Sequence, residues 1–145
     1  MPLCREESVG VLPWSPLSGG FLSGKYTRQN PSPEGMRRSG FQFPPIDEAR
    51  GFDAVEALER IAKEKGATVA QTALAWLLAQ PGVTSIIIGA NKMSQLEDNL
   101  KAADLQLTAA EVDILSATTA PAPQYPDWMI DRQNEGRGMQ VSSEQ

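Results

Sequence analysis

Gly19, Gly24 and Lys25 stand at the spacing of a phosphate-binding loop, Gly-x-x-x-x-Gly-Lys, inside Ser15-Pro-Leu-Ser-Gly-Gly-Phe-Leu-Ser-Gly-Lys-Tyr26. A nucleotide-hydrolysing loop continues with Ser or Thr, whose hydroxyl binds Mg²⁺, and opens a helix. Here Tyr26 follows, and then Asn30-Pro-Ser-Pro33. That departure disfavours hydrolysis and leaves two readings open. One is a glycine-rich turn with no ligand. The other is a loop whose backbone closely approaches a different ligand, with Gly19 and Gly20 leaving the room. A second candidate is Gly89-Ala-Asn-Lys92, with Gln95, Asp98 and Asn99 behind it. Small residues leading into a helix N-terminus, with Lys92 beside its amides, make an anion site. Spacings of three and four place Gln95 with Asp98 and Asn99 on one helix face. An ordinary strand-to-helix turn with a solvated polar face accounts for the same residues equally well.

Other chemistries are excluded by what the chain lacks. It contains no histidine. Ser-His-Asp and Cys-His triads, histidine acid–base chemistry and the usual zinc sites are therefore ruled out within this sequence. Cys4 is the single cysteine, so no internal disulfide can form, and a reducing cytoplasm is expected. A net charge of −5 argues against nucleic acid as a partner. No apolar run approaches the roughly 20 residues of a membrane span.

These candidates need elements to hold them. Val9 to Trp14 reads as a strand broken by Pro13, and Ser15 to Arg50 as one long loop rich in Gly, Pro and Ser. Helices are expected over 53–65, 68–80, 93–102 and 108–117. Three are opened by capping boxes: Asp53-x-x-Glu56, Thr68-x-x-Gln71 and Thr108-x-x-Glu111. Thr84 to Ile88 is a continuous apolar run that suits a strand buried on both faces of a parallel sheet. Strands alternating with helices indicate βαβ units and an α/β fold. The two-sided burial expected of Thr84–Ile88 implies neighbouring strands that this sequence does not contain. After Ala117 the chain is Pro-rich but keeps Tyr125, Trp128, Met129 and Ile130, so part of it is expected to dock. Disorder is expected over 134–145.

Four segments, in order, carry a family resemblance. Val11-Leu-Pro-Trp-Ser-Pro-Leu-Ser-Gly-Gly-Phe-Leu-Ser-Gly-Lys25 resembles the seventh strand and following loop of aldo-keto reductases. Ala67-Thr-Val-Ala-Gln-Thr-Ala-Leu-Ala-Trp-Leu-Leu78 resembles their seventh barrel helix. Ile86-Ile-Ile-Gly-Ala-Asn-Lys92 with Gln95-Leu-Glu-Asp-Asn99 resembles the eighth strand and the start of the eighth helix. Tyr125-Pro-Asp-Trp-Met129 resembles the tail of one subgroup. Ahead of these four, the residues up to Glu7 resemble the end of the helix before the seventh strand.

The resemblance implies an α/β fold, the C-terminal portion of a (β/α)₈ TIM barrel. It would hold the seventh and eighth strand–helix units plus the C-terminal helix and tail, an incomplete barrel over residues 1–133. A whole barrel takes about 250 residues. It also implies an NADP-dependent oxidoreductase interconverting carbonyls and alcohols in the complete enzyme. Ser15, Leu17, Gly19 and Leu22 would lie along the cofactor pyrophosphate. Gly89, Ala90, Asn91 and Lys92, with Gln95 near them, would take the phosphate on the adenosine ribose, and Asp98 and Asn99 would hold the adenine. Lys92 supplies charge there as a point and not as a planar fork. The family's catalytic Asp, Tyr, Lys and His lie on earlier strands that have no counterpart here. The chain alone is expected to be inactive, to bind NADP weakly or not at all, and to self-associate or pair with a complementary chain. Met1 then reads as an internal methionine serving as a start, in a truncated gene product or a partial gene model. The contrasting expectation is a non-catalytic helical interaction module. Thr84–Ile88 separates the two, extended in the first and helical in the second.

Overall fold

The computed structural model describes residues 2–40, 43–122 and 125–137. Helix α1 spans Pro2–Glu6, α2 Arg37–Gly40, α3 Glu48–Lys65, α4 Val69–Leu78, α5 Met93–Leu100, α6 Ala109–Thr119 and α7 Asp127–Arg137. Two 3₁₀ turns, Ser18–Ser23 and Lys101–Ala103, lie among them.

Helix α3 starts earlier than its pattern predicts. Its N-cap is Asp47, whose carboxylate accepts from the Arg50 backbone N–H at 3.2 Å. Asp53 and Glu56 are therefore interior residues and form no capping box. Three residues apart on one face, they grip Arg28: its Nε donates to Glu56 Oε1 at 2.7 Å, and its Nη2 pairs with Asp53. The apparent box failed because Gly51 interrupts the apolar period of the first turn. A Cβ at Gly51 would come within 2.8 Å of Phe21 Cε1, so the close approach of that ring requires glycine. The other two boxes form as expected. Thr68 and Gln71 cap α4, and Thr108 and Glu111 cap α6, each with both reciprocal bonds.

The core is made by α3 with α4 and α6. Leu58 and Ile61 of α3 meet Ala73 of α4 and Leu115 of α6, with Val69, Trp76 and Leu107 at the margin. Trp76 Nε1 donates to Ser116 Oγ at 3.1 Å, joining α4 to α6. The other end of α3 presents Phe52 and Val55 to Phe21 and Tyr26 of the preceding loop. That loop is not structureless as expected, because the Ser18–Ser23 turn and α2 organise it.

Among the described residues no continuous strand forms. The two expected strands are reduced to parallel bridges, Val11 with Val83 and Trp14 with Ile87. Three backbone bonds hold them: Val11 N–H to Gly82 O, Thr84 N–H to Val11 O, and Ile87 N–H to Pro13 O, at 2.9–3.0 Å. Pro13 has no N–H to donate, and two extended segments without a third cannot cover themselves. The two-sided burial expected for 84–88 is absent within this chain, with Ile87 54 % and Trp14 63 % exposed. The segment is nevertheless extended and not helical. Helix α7 runs four residues into the stretch expected to be disordered, and 138–145 lie outside the described residues. Tyr125, Trp128 and Ile130, expected to dock, are exposed.

Two tests follow from this packing. Leu115 is 1 % exposed at the α3–α6 contact, so Leu115→Ala should cost about 3 kcal/mol in urea unfolding of the 145-residue chain. The Glu111 carboxyl is held below the usual carboxylate range, first by the Thr108 N–H and then by Lys65, whose Nζ lies 3.0 Å from it. A carboxyl whose value is lowered on folding contributes stability that is present above its unfolded value and is lost as pH falls through the folded one. Unfolding midpoints should therefore drop as pH falls below about 4.3, and Glu111→Gln should flatten that part of the drop.

Candidate functional site

The two candidate segments leave the paired chains at the same end. Ser15 follows Trp14, and Gly89 follows the 83–87 segment; because the pairing is parallel, both turns lie beyond its C-terminal end. In open α/β sheets and barrels this is the end at which ligands bind.

The first segment is conformationally unusual. Ser15 has φ +52°, Ser18 +49°, Gly19 +68°, Gly20 +95° and Gly24 +79°. Left-handed backbone at two serines costs on the order of 1–3 kcal/mol each and persists only where surrounding contacts enforce it. Leu17 and Leu22 turn their side chains inward. Both pack on the α3–α4–α6 core, and Leu22 also touches the Phe21–Phe52 cluster. Both remain half-buried, so the packing ties their side chains to the core and leaves the backbone between them to shape the turn. A Cβ at Gly19 would meet the Phe43 carbonyl at 3.1 Å, so the room at Gly19 is taken by protein. At Gly20 an added Cβ would meet nothing within 4 Å. The open side of the turn is at Gly20, not at the residue the sequence singles out.

In the second segment Gly89, Ala90, Asn91, Lys92 and Gln95 are all exposed. Lys92 is the N-cap of α5 and offers no side-chain cap. Gln95 reaches back, its Oε1 accepting from the Asn91 N–H at 3.0 Å, so it braces the turn. Asp98 faces α4. Its carboxylate accepts from Thr68 Oγ1 at 2.9 Å and from Gln71 Nε2 at 2.7 Å, while Gln71 Nε2 also reaches the Asp98 carbonyl at 3.1 Å. Asn99 is buried. The spacing that places Gln95, Asp98 and Asn99 on one face thus divides them. Gln95 stays with the exposed turn, Asp98 joins the α4–α5 contact, and Asn99 is buried.

The aldo/keto reductase family model matches residues 1–119. The chain belongs to the aldo/keto reductase family. It is 33 % identical over 133 residues to a probable voltage-gated potassium channel subunit beta of Arabidopsis thaliana, covering 88 % of this chain and 40 % of that protein. It is 34 % identical over 102 residues to L-glyceraldehyde 3-phosphate reductase of Escherichia coli K12, covering 68 % of this chain and 30 % of the enzyme. Among solved structures it resembles a thermostable aldo-keto reductase, Tm1743, with a TM-score of 0.54 and 30 % identity over 81 % of this chain and 32 % of that one. This likeness supports an α/β fold of the barrel family. The chain spans about two fifths or less of the length of these relatives.

Within this aldo/keto reductase chain, sequence reasoning passed over Arg38. Its side chain is buried beneath the Ser18–Ser23 turn and donates to the carbonyls of Ser18 and Pro44. The only signal was an arginine pair, Arg37-Arg38, inside a loop rich in Gly, Pro and Ser. No group of three or more metal-ligating side chains occurs among the described residues, and none of their helices is long and apolar enough to cross a membrane.

The α4–α5 contact yields a test. Asp98→Ala leaves buried Gln71 with one acceptor in place of two, and should lower stability by about 1–3 kcal/mol. Gln95→Ala, at an exposed brace, should stay within about 0.5 kcal/mol. Chemical denaturation of the two variants side by side checks the contrast.

Proposed function

We propose that this chain forms the cofactor-binding, C-terminal portion of an NADP-dependent aldo-keto reductase, an incomplete (β/α)₈ barrel. Carbonyl/alcohol interconversion then belongs to the complete enzyme. The observation that carries the reading is the parallel pairing of Val11 with Val83 and Trp14 with Ile87, which sends both candidate segments out of one end. The same pairing disfavours a purely helical interaction module. The exposed apolar row of Leu12, Trp14 and Ile87 further supports a sheet continued by other strands, supplied by a complementary chain or by a second copy.

The residues fit the cofactor unevenly. Backbone of Ser15, Leu17, Gly19 and Leu22, opening at Gly20, would lie along the pyrophosphate. Lys92, exposed at the start of α5, would hold the ribose phosphate, with Gly89, Ala90 and Asn91 forming the turn and Gln95 keeping it in place. Asp98 would act at the adenine only from the α4–α5 contact it already makes, and Asn99 only from its buried position. NADPH supplies the hydride when bound. This chain offers no match to the family's tyrosine proton donor. It has no histidine, Tyr26 is buried with its hydroxyl accepting from the Arg38 N–H at 3.3 Å, and Tyr125 lies in the tail. We place the protein in the cytoplasm, in keeping with its single cysteine.

Purified chain incubated with NADPH and a broad panel of aldehydes should show no oxidation above background, and weak binding at most. Clear turnover overturns the reading of a missing proton donor. Where binding is measurable, Lys92→Ala should weaken NADPH about tenfold, the loss of one charge-assisted contact, and leave NADH almost unchanged. Equal losses for both overturn the assignment of Lys92.

A further inference from the structure

We infer that Arg38 is the positioning residue of the Ser15–Gly24 loop, fixing the backbone run on which the proposed pyrophosphate site depends. The inference rests on the cofactor reading for its purpose and on geometry for its mechanism. Arg38 is 7 % exposed. Its Nη1 donates to Ser18 O at 3.3 Å and to Pro44 O at 2.8 Å. Its guanidinium carbon lies 5.9 Å from the Phe21 ring centroid. Its Cγ sits 3.5 Å from where a Cβ on Gly19 would stand, and its backbone N–H donates to the Tyr26 hydroxyl. One residue therefore touches Ser18, Gly19, Phe21 and Tyr26.

Those contacts meet the part of the chain that most needs them. Ser18, Gly19 and Gly20 are three consecutive residues in the left-handed region, at φ +49°, +68° and +95°. A serine held there relaxes unless something over-determines it. The Ser18 carbonyl accepts from a buried cation, and the Phe21 ring meets both that cation and Phe52, whose ring centroid is 5.2 Å from its own. At Gly20 an added Cβ would meet nothing within 4 Å. Arg38 thus holds the turn at Ser18 and Phe21 and leaves the backbone at Gly20 unobstructed. One nitrogen, Nη1, serves both carbonyls while the flat guanidinium lies over the Phe21 ring, and a lysine ammonium supplies the charge without that planar face.

The test compares Arg38→Met and Arg38→Lys with the unaltered chain by amide hydrogen exchange. Gly20 and Leu22 N–H groups both donate to Leu17 O. They should exchange at least about tenfold faster in Arg38→Met. Amides of α3 and α4 should be unchanged, and Arg38→Lys should recover part of the protection. Should Arg38→Met unfold the chain, Arg38→Lys decides alone, with faster loop exchange over an unchanged α3 and α4. Unchanged loop exchange, or an equal rise at every amide, overturns the inference. A cofactor arm separates it from the reading beneath it. Arg38→Met should weaken NADPH and NADH alike, because both share the pyrophosphate, whereas Lys92→Ala discriminates between them. Loosened exchange at Gly20 and Leu22 with measurable binding of both cofactors undiminished in Arg38→Met upholds the positioning role and defeats the cofactor reading, and where no form binds measurably the exchange result alone decides the positioning role. A loss confined to NADPH in Arg38→Met overturns the positioning role.

Discussion

The hydrophobic packing of the described residues leans on helix α3. It buries Phe52, Ala54, Val55, Ala57, Leu58, Ile61 and Ala62 along one side, and it is the only helix whose buried residues belong to both hydrophobic clusters of the described residues. Its C-terminal half holds α4 and α6, and through α4 it holds α5. Its N-terminal half holds the glycine-rich loop by the rings of Phe21 and Tyr26. The two candidate segments thus have a common support, although they are far apart in sequence. Leu22 sits where the clusters join, so the loop's position is coupled to the packing of the helices.

The extended segments have no comparable support. Two bridges and three backbone bonds fix the direction of 11–14 against 83–87, but the apolar side chains of Leu12, Trp14 and Ile87 meet solvent. The α3–α4–α6 core is buried within the described residues and the apolar side chains of the paired segments are not. That division matches the family membership, since barrel helices cover the sheet from outside while barrel strands depend on one another around a ring.

Much of this was legible in the sequence. The boxes at Thr68–Gln71 and Thr108–Glu111 are local, needing only residues three apart, and they formed as read. The family resemblance was equally readable, because its motifs are contiguous. The start of α3 was not, because the glycine that breaks the pattern at position 51 is there to admit Phe21 from 30 positions away. The partners of Asp98 were hidden for the same reason. A helical face can be inferred from spacing, but that Thr68 and Gln71 would occupy it depends on how α4 crosses α5. Arg38 left almost no trace, since the carbonyls it serves belong to backbone and carry no signature in side-chain type.

The loop between the paired segment and α3 is tied down twice, by two arginines in opposite surroundings. Arg38 acts from a buried position on uncharged carbonyls, where mobile ions have little access. Arg28 acts at the surface, on Asp53 and Glu56, with nearly half of its own side chain in solvent. Charges so exposed are screened over about 8 Å at physiological ionic strength and over about 3 Å in molar salt. The two ties therefore answer differently to the ionic medium. Concentrated salt loosens the outer turn around Thr27–Asn30 and leaves the inner turn at Ser18–Gly20 clamped, so a single loop carries one salt-responsive half and one indifferent half.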